Sequence, residues 1–127
     1  MEEEDAGEEV IKMRIAIATD DRNHISQHFG RAQGFMVFEI SGSSIISEEY
    51  RANIGKNTGQ CGSCNHGTMI KNIRDCDAVI SYGMGQGIYS DLLSHNIQAI
   101  VTEESTVKDA LRKFMSHELR NRIDKLH

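Results

Sequence analysis

The sequence predicts an α/β domain built on a mixed five-stranded sheet with the strand order 3-2-1-4-5. Two short apolar segments near the start, residues 13–19 and 35–40, have the length and composition of buried strands. The second half alternates short apolar strands with helical segments, and the last of these carries a single apolar stripe. The predicted order of elements is therefore β-β-β-α-β-α-β-α, with helices packed against the sheet.

The first three strands are predicted to lie side by side at the start of the chain. Residues 13–19 read Met-Arg-Ile-Ala-Ile-Ala-Thr, which indicates a buried central strand, and residues 35–40 form the second. Between them, residues 20–34 are predicted to be a polar loop. Ser41, Gly42 and Ser43 favour a tight turn, and residues 44–51 return as a more polar strand at the edge of the sheet.

The remaining elements follow a long glycine-rich loop, residues 52–67, which shows neither helical nor strand periodicity. Residues 68–74 are predicted as a short helix, 78–81 as a strand, 85–94 as a helix and 97–101 as a strand. A long closing helix is predicted from Thr106, which can cap it, with Asp109 three residues further on. Its apolar stripe consists of Val107, Ala110, Leu111, Phe114 and Met115.

Composition and charge restrict the function classes. The chain has 127 residues and a net charge of -5, so one domain is expected and a nucleic-acid surface is disfavoured. No apolar run approaches the roughly 20 residues that cross a bilayer, and we expect no membrane partner. Three cysteines without an export signal predict reduced thiols and a cytoplasmic location. Residues 1–12 are expected to be an acidic disordered leader, 13–120 the α/β domain, and 121–127 a helix end or tail.

Two loops carry candidate metal ligands. Cys61 and Cys64 form a C-x-x-C pair, whose two thiolates can hold one soft metal ion, and His66 lies two residues further on. His28 is followed by Phe29, which is predicted to anchor its loop on the core, and by Gly30, which permits a sharp turn. The third cysteine, Cys76, is predicted to be a buried and unreactive thiol.

A third loop is a candidate for binding an anion. Gly83, Met84 and Gly85 join a predicted strand to a helix, where backbone N–H groups can face a phosphate or an anionic cluster. The segment does not match the dinucleotide-binding fingerprint, because Ile88 stands where the third glycine belongs. In the predicted topology, four strands point the same way, so the loops that carry His28, Cys61 and Gly83 should start from one edge of the sheet.

Several stretches resemble the dinitrogenase iron–molybdenum cofactor biosynthesis family, which includes NifX and the C-terminal domain of NifB. The most specific is Ile25-Ser-Gln-His28-Phe-Gly-Arg-Ala32, preceded by the apolar strand and an Asp-Asp pair; His66-Gly67, residues 77–85 and residues 106–111 resemble later motifs. The resemblance implies a ribonuclease H-like three-layer α/β/α fold. It also implies His28 and His66 as ligands, and the turn at Gly83–Gly85 facing the cofactor.

The sequence thus favours a protein that binds or carries iron–sulfur or iron–molybdenum type cofactor precursors and is not itself an enzyme. Its expected partners are the cluster and the proteins that donate or accept it. The predicted metal ligands are Cys61, Cys64, His66 and His28, and the predicted cofactor-facing residues are His28, Phe29, Gly30, Gly83, Met84 and Gly85. Two alternatives remain: a thiol–disulfide redox protein using Cys61 and Cys64, and a zinc-binding module. Involvement in nitrogen fixation does not follow, and the oligomeric state is open.

Overall fold

A computed structural model describes residues 12–27, 29, 32–42, 44–53, 70–119 and 121 of the chain. The regular elements of this part follow one another as strands first and alternating strands and helices later. They are β1 (Lys12–Thr19), β2 (Gly34–Ser41), β3 (Ser44–Ala52), β4 (Ala78–Ser81), α1 (Gln86–Ser94), β5 (Gln98–Val101) and α2 (Val107–Met115).

The five strands form one sheet in the order β3-β2-β1-β4-β5. β1 pairs antiparallel with β2 and parallel with β4, β2 pairs antiparallel with β3, and β4 pairs parallel with β5. The predicted α/β class and the predicted order 3-2-1-4-5 are both confirmed. The carboxyl ends of β1, β3, β4 and β5 consequently lie at the same edge of the sheet.

β1 lies at the centre because both of its faces are apolar. Ile15 and Ile17 contribute to the core on one face, and Ala16 and Ala18 contribute to the core on the other; all four are fully buried. Alternate residues of a strand point to opposite faces, so a run without polar residues can be accommodated only between two covering layers. The predicted central position of this strand is confirmed.

β3 is an edge strand, as its polar composition predicted. Most of its residues are exposed, and its pairing with β2 is interrupted by a register shift after Glu39. The turn before it places Gly42 at φ +62°, a conformation that glycine adopts without strain. At the other end of the hairpin, a Cβ on Gly34 would collide with the Tyr50 side chain and the Arg51 carbonyl, so this position requires glycine.

Helices cover both faces of the sheet, which gives three layers. On one face α1 packs through Ile88 and Leu92, together with Ile70 and Ile73 from the segment before β4. On the other face α2 packs through the first residues of its predicted apolar stripe. The buried residues of α2 are Val107, Ala110 and Leu111.

Both helices end through the same backbone pattern. In α1 the amides of Asn96 and Ile97 donate to the carbonyls of Leu93 and Leu92, with Asn96 at φ +62°. In α2 the amide of Glu118 donates to Lys113, with His117 at φ +64°. These are Schellman ends. The closing helix is predicted to be long, but it has nine residues and ends at Met115. The short helix predicted at 68–74 is helical at residues 70–72 and then becomes a turn.

The loop predicted to be polar between β1 and β2 is partly core. Ile25, Phe29 and Ala32 are buried. Gly34, the last residue of the predicted loop, is instead the first residue of β2. The Ile25 amide donates to the Ser105 carbonyl and the Ser26 amide to the Ala18 carbonyl, at 2.9 Å in each case. Burial of three apolar side chains holds this connection against the sheet, and it is the segment that positions the candidate site.

Candidate functional site

The loop after β1 and the turn after β4 meet at the carboxyl edge of the sheet. The Phe29 amide donates to the Gly83 carbonyl at 3.1 Å, and the Tyr82 amide donates to the Ser26 carbonyl at 3.4 Å. Phe29 itself is 1% exposed, with its ring centroid 5.4 Å from that of Phe35. The predicted anchoring role of Phe29 and the predicted meeting of these two loops are confirmed. We refer to residues 26–33 as the 26–33 loop and to Gly83–Gly85 as the glycine turn.

The glycine turn is fixed from beneath. The fully buried hydroxyl of Ser81 donates to the Gly83 carbonyl at 2.8 Å, so that carbonyl accepts from both Ser81 and Phe29. The Met84 side chain is 1% exposed and belongs to the core on the α1 face. Met84 and Phe29 can therefore contribute to a bound group only through their backbones, whereas Gly85 is partly exposed and Gln86 is exposed.

Helix α1 begins directly after the glycine turn, and the amides of its first turn point away from the helix. Gly85 is the N-cap residue, and within the described part of the chain no side chain caps this end and no acidic residue occupies its first turn. The first amides of a helix have no partner inside the helix and carry a partial positive charge. An anion at this position would receive those hydrogen bonds.

The predicted metal ligands lie outside the described residues. This applies to Cys61, Cys64, His66 and His28, and also to Gly30. Among the residues that the structure does describe, there is no group of three histidine, cysteine, aspartate or glutamate side chains that could hold a metal ion. The structure therefore brings together Phe29 and the glycine turn, and it leaves the proposed ligand set untested.

Both neighbours of the 54–69 segment are held firmly. Before it, the Asn53 amide donates to the Gln33 carbonyl at 2.9 Å and the Asn53 Nδ2 donates to the Ala32 carbonyl at 3.0 Å. After it, the Asn72 Nδ2 donates to the Ala52 carbonyl at 2.7 Å. The described residues on both sides of the 54–69 segment therefore lie next to the end of β3.

An ion-pair network reinforces the second of these points. Arg51 donates to both carboxylate oxygens of Asp75, at 2.7 and 2.9 Å, and to the Asn72 carbonyl at 2.9 Å. Arg14 donates to the same carboxylate at 3.0 Å. The hydrogen bonds from Arg51 lower the pKa of Asp75 to about 2, so this carboxylate remains charged across the physiological range.

Described residues line two concave surfaces. One groove runs between α2 and the sheet, with Met36, Phe38 and Met115 among its lining residues, and a second depression lies beside Arg51 and Lys71. The described residues of the 26–33 loop and the glycine turn do not line either of them. At the start of α1, Gly85 is partly exposed and Gln86 is exposed, so an anionic group can approach the amides of these two residues from solvent.

Comparison with known proteins identifies the family. The sequence profile of the dinitrogenase iron-molybdenum cofactor family matches residues 11–117. The chain belongs to this family. The resemblance carried by the Ile25–Ala32 stretch is thereby confirmed, and the matched region includes every predicted site residue.

The chain is similar to a curated protein at low sequence identity, and it shares its fold with several solved structures. An uncharacterized protein of Methanocaldococcus jannaschii, MJ0580, is 26% identical over 107 residues, which cover 84% of this chain and 89% of that protein. The crystal structure of PH0822 matches with a TM-score of 0.72 and 24% identity, covering 88% of this chain and 96% of that one. The apo form of the orange protein from Desulfovibrio gigas matches with a TM-score of 0.69 and 20% identity, covering 86% and 92% respectively.

Cys76 belongs to the hydrophobic core on the α1 face of the sheet. It is 4% exposed, and burial raises the pKa of its thiol to about 12, an effect to which the nearby Asp75 carboxylate adds. A thiol that stays protonated is a poor nucleophile and a poor metal ligand. The predicted burial of Cys76 is confirmed.

Sequence reasoning missed the polar residues that shape this edge. Asp20 accepts from the Gln33 amide at 3.0 Å, and Asn53 and Ser81 hold the 26–33 loop and the glycine turn. Each of these residues is polar and lies at or next to the carboxyl end of a strand, which is a signal visible in the sequence. His24 Nδ1 lies 2.8 Å from Asp21 Oδ2, and hydrogen bonds from His24 hold the pKa of Asp21 far below its ordinary value.

No helix within the described ranges is both long enough and apolar enough to span a membrane.

Proposed function

We propose that this protein binds an iron–sulfur or iron–molybdenum type cluster as cargo and passes it to other proteins. The observation that carries the proposal is the N-terminus of α1, which has no side-chain cap among the described residues and lies beside the 26–33 loop, at the sheet edge where β3 ends. Membership of the iron-molybdenum cofactor family supports this choice of cargo. Ligands of open α/β sheets generally lie at this edge.

The proposed ligands are the thiolates of Cys61 and Cys64, with His66 and His28. Thiolate is a soft ligand that suits iron in clusters, and imidazole is a weaker partner for the same metal. A mixed set holds a cluster less permanently than four thiolates would, which suits a protein that must release its cargo. The fixed positions of Asn53 and Asn72 support this arrangement, because they tie both flanks of the 54–69 segment to the end of β3.

The backbone of the glycine turn is proposed to face the cluster. A cluster bound through thiolates carries negative charge, and the first amides of α1 can donate to its sulfur or oxygen atoms. Gly85 and Gln86 are accessible for this role, whereas Phe29 and Met84 support it from the core. Hydrogen bonds of this kind also stabilise the more reduced, more negative state of a cluster.

The proposal describes binding and transfer rather than catalysis. The partners are therefore proteins that donate or accept clusters, and the proposed location is the cytoplasm, where cysteine thiols remain reduced. The metal centre is cargo in this view, so the core of the domain is expected to fold without it. The large apolar core on both faces of the sheet supports that expectation.

Anaerobic reconstitution with iron and sulfide, in the presence and absence of molybdate, tests the proposal. The parent protein should develop visible charge-transfer absorption and retain iron after desalting. Cys61→Ser combined with Cys64→Ser should abolish most of both signals, whereas the matched control Cys76→Ala should retain them. Equal iron retention by the double variant and the parent would refute the proposed ligands.

The same preparation separates the alternatives. A single zinc ion, retained without sulfide and without visible absorption, would favour the zinc-binding module. Reversible formation of a Cys61–Cys64 disulfide at a defined potential, without metal uptake, would favour the thiol–disulfide redox protein. Failure of the parent protein to retain iron under any of these conditions would overturn the proposed function.

A further inference from the structure

The end of β3 carries a buried amide that links two of the loops at the candidate edge. Asn53 is 7% exposed and directly follows Ala52, the last residue of β3. Its backbone amide extends the pairing with the β2 side of the sheet by donating to Gln33. Its side chain makes a separate bond, from Nδ2 to the Ala32 carbonyl at 3.0 Å. Burying an amide is costly unless it is hydrogen-bonded. Strand pairing uses only the backbone of Asn53, so the buried side chain has a separate role, which is to hold the Ala32 carbonyl.

The carbonyl that Asn53 holds belongs to the 26–33 loop. Ala32 is fully buried, and its amide donates to the Phe29 carbonyl at 3.4 Å. Phe29 in turn donates its amide to the Gly83 carbonyl at 3.1 Å. A continuous path of hydrogen bonds therefore runs from the Asn53 side chain through Ala32 and Phe29 to the glycine turn.

The path ends at the N-terminus of α1, which no described side chain caps. Gly83 is two residues before the N-cap Gly85, and its carbonyl is also fixed by Ser81 at 2.8 Å. Asp20 holds the neighbouring Gln33 amide at 3.0 Å from the β1 side. The loop is thus clamped from both neighbouring strand ends, and Asn53 provides the clamp that reaches Ala32.

We propose that Asn53 is a positioning residue of the cluster site, whose side-chain amide fixes the 26–33 loop against the glycine turn and thereby sets the geometry of the N-terminus of α1. This inference rests on the proposed function. It adds a residue that neither touches the cluster nor ligates metal, and that acts through Ala32 and Phe29.

Asn121 provides a matched control at the opposite lateral edge of the sheet. Its Nδ2 donates to the Ala99 carbonyl at 3.2 Å, and its Oδ1 accepts from the Val101 amide at 3.0 Å, so it closes the outer side of β5. Like Asn53, it holds backbone groups through a side-chain amide. Unlike Asn53, it makes no hydrogen bond to the 26–33 loop among the described residues, and its connection to Gly83 runs instead through β5, the Thr102 amide and Ser81.

The experiment compares Asn53→Ala with Asn121→Ala in the full chain. Both variants should lose stability in urea unfolding, because each leaves a backbone carbonyl without its donor. Only Asn53→Ala should accelerate release of iron from the reconstituted protein to a chelator, by about tenfold, the usual effect of one lost hydrogen bond. Only Asn53→Ala should also speed hydrogen exchange at the Phe29 amide in metal-free protein, which a general loss of stability would not do selectively.

The two readouts keep this inference separate from the proposed function. If the parent protein takes up no iron and sulfide, the proposed function fails, and amide exchange alone decides whether Asn53 holds the loop. If the parent protein takes up the cluster and Asn53→Ala releases iron no faster than Asn121→Ala, the positioning role is overturned. If Asn53→Ala does not fold, Asn53→Ser, which keeps a hydroxyl donor of shorter reach, gives the same comparison.

Discussion

The two helices of the described fold begin at the same edge of the sheet but are completed differently. At α2, the Thr106 hydroxyl accepts from the Asp109 amide at 3.2 Å, and the Val107 amide donates to the Asn23 carbonyl at 2.9 Å. At α1, the N-cap is Gly85, with no side-chain cap within the described residues. α2 also has the acidic residue Asp109 in its first turn, which α1 lacks.

This difference indicates where the protein is prepared for a ligand. A helix N-terminus whose amides are satisfied internally adds stability and has little left to offer an external anion. One that starts from glycines and has no internal cap retains its donors for solvent or for a bound group. The comparison therefore assigns a structural role to the start of α2 and, under the proposed function, a binding role to the start of α1.

The largest effects are expected from truncating the core side chain that holds each helix. Leu92 of α1 is fully buried and Leu111 of α2 is 4% exposed. Leu92→Ala and Leu111→Ala should each reduce the free energy of unfolding by ~2–5 kcal/mol, measured in urea. Only Leu92→Ala should also weaken cluster binding under conditions where both variants are folded. Equal weakening by the two variants would erase the functional distinction between the helices.

A carboxylate placed at the start of α1 should make it resemble α2. Gly85 has φ -80° and ψ 157°, an extended conformation that any L-residue adopts, so Gly85→Asp introduces an internal cap without backbone strain. The expected result is about tenfold weaker cluster binding, with stability unchanged or higher by a few tenths of a kcal/mol. Gly85→Ser separates capping from charge. Unaltered iron retention by both variants would show that these amides do not face the cluster.

The reverse change removes the cap of α2. Thr106→Ala should lower the free energy of unfolding by ~1 kcal/mol, because the Asp109 amide loses its acceptor. Iron retention after reconstitution should equal that of the parent protein. A marked loss of iron in this variant would show that the N-terminus of α2 also contributes to binding.

The smallest effect concerns pH. Hydrogen bonding at the start of α2, first with Thr106 and then with Arg112, lowers the pKa of Asp109. A carboxyl group with a depressed pKa in the folded state adds stability above its ordinary pKa, and that contribution is lost as the pH falls through the folded value. Titration of the Asp109 side chain by NMR should therefore give a pKa below that of an ordinary aspartate, and Thr106→Ala should raise it. An unchanged value in that variant would assign the shift to another cause.

The sequence predicted those parts of the molecule whose causes are local. The uninterrupted apolar run of β1 requires burial on both faces, which places it in the middle of the sheet, and the polar composition of β3 places that strand at an edge. The Thr106 cap and the apolar stripe after it depend on residues three and four positions apart, so the start of α2 was visible in the sequence. The strand order then followed from short connections and right-handed crossovers.

Tertiary structure alone decided how the candidate edge is built. Asn53 bonds to Ala32 across 21 residues, Asp20 to Gln33 across 13, and Arg51 to Asp75 across 24. No periodic pattern in the sequence indicates these pairs, because each pair forms only where the sheet register brings two distant chain segments together. The end of α2 also escaped prediction, since His117 adopts the left-handed conformation that glycine usually provides. Patterns along the chain record which faces must be buried, whereas hydrogen bonds between distant segments exist only once the sheet has formed.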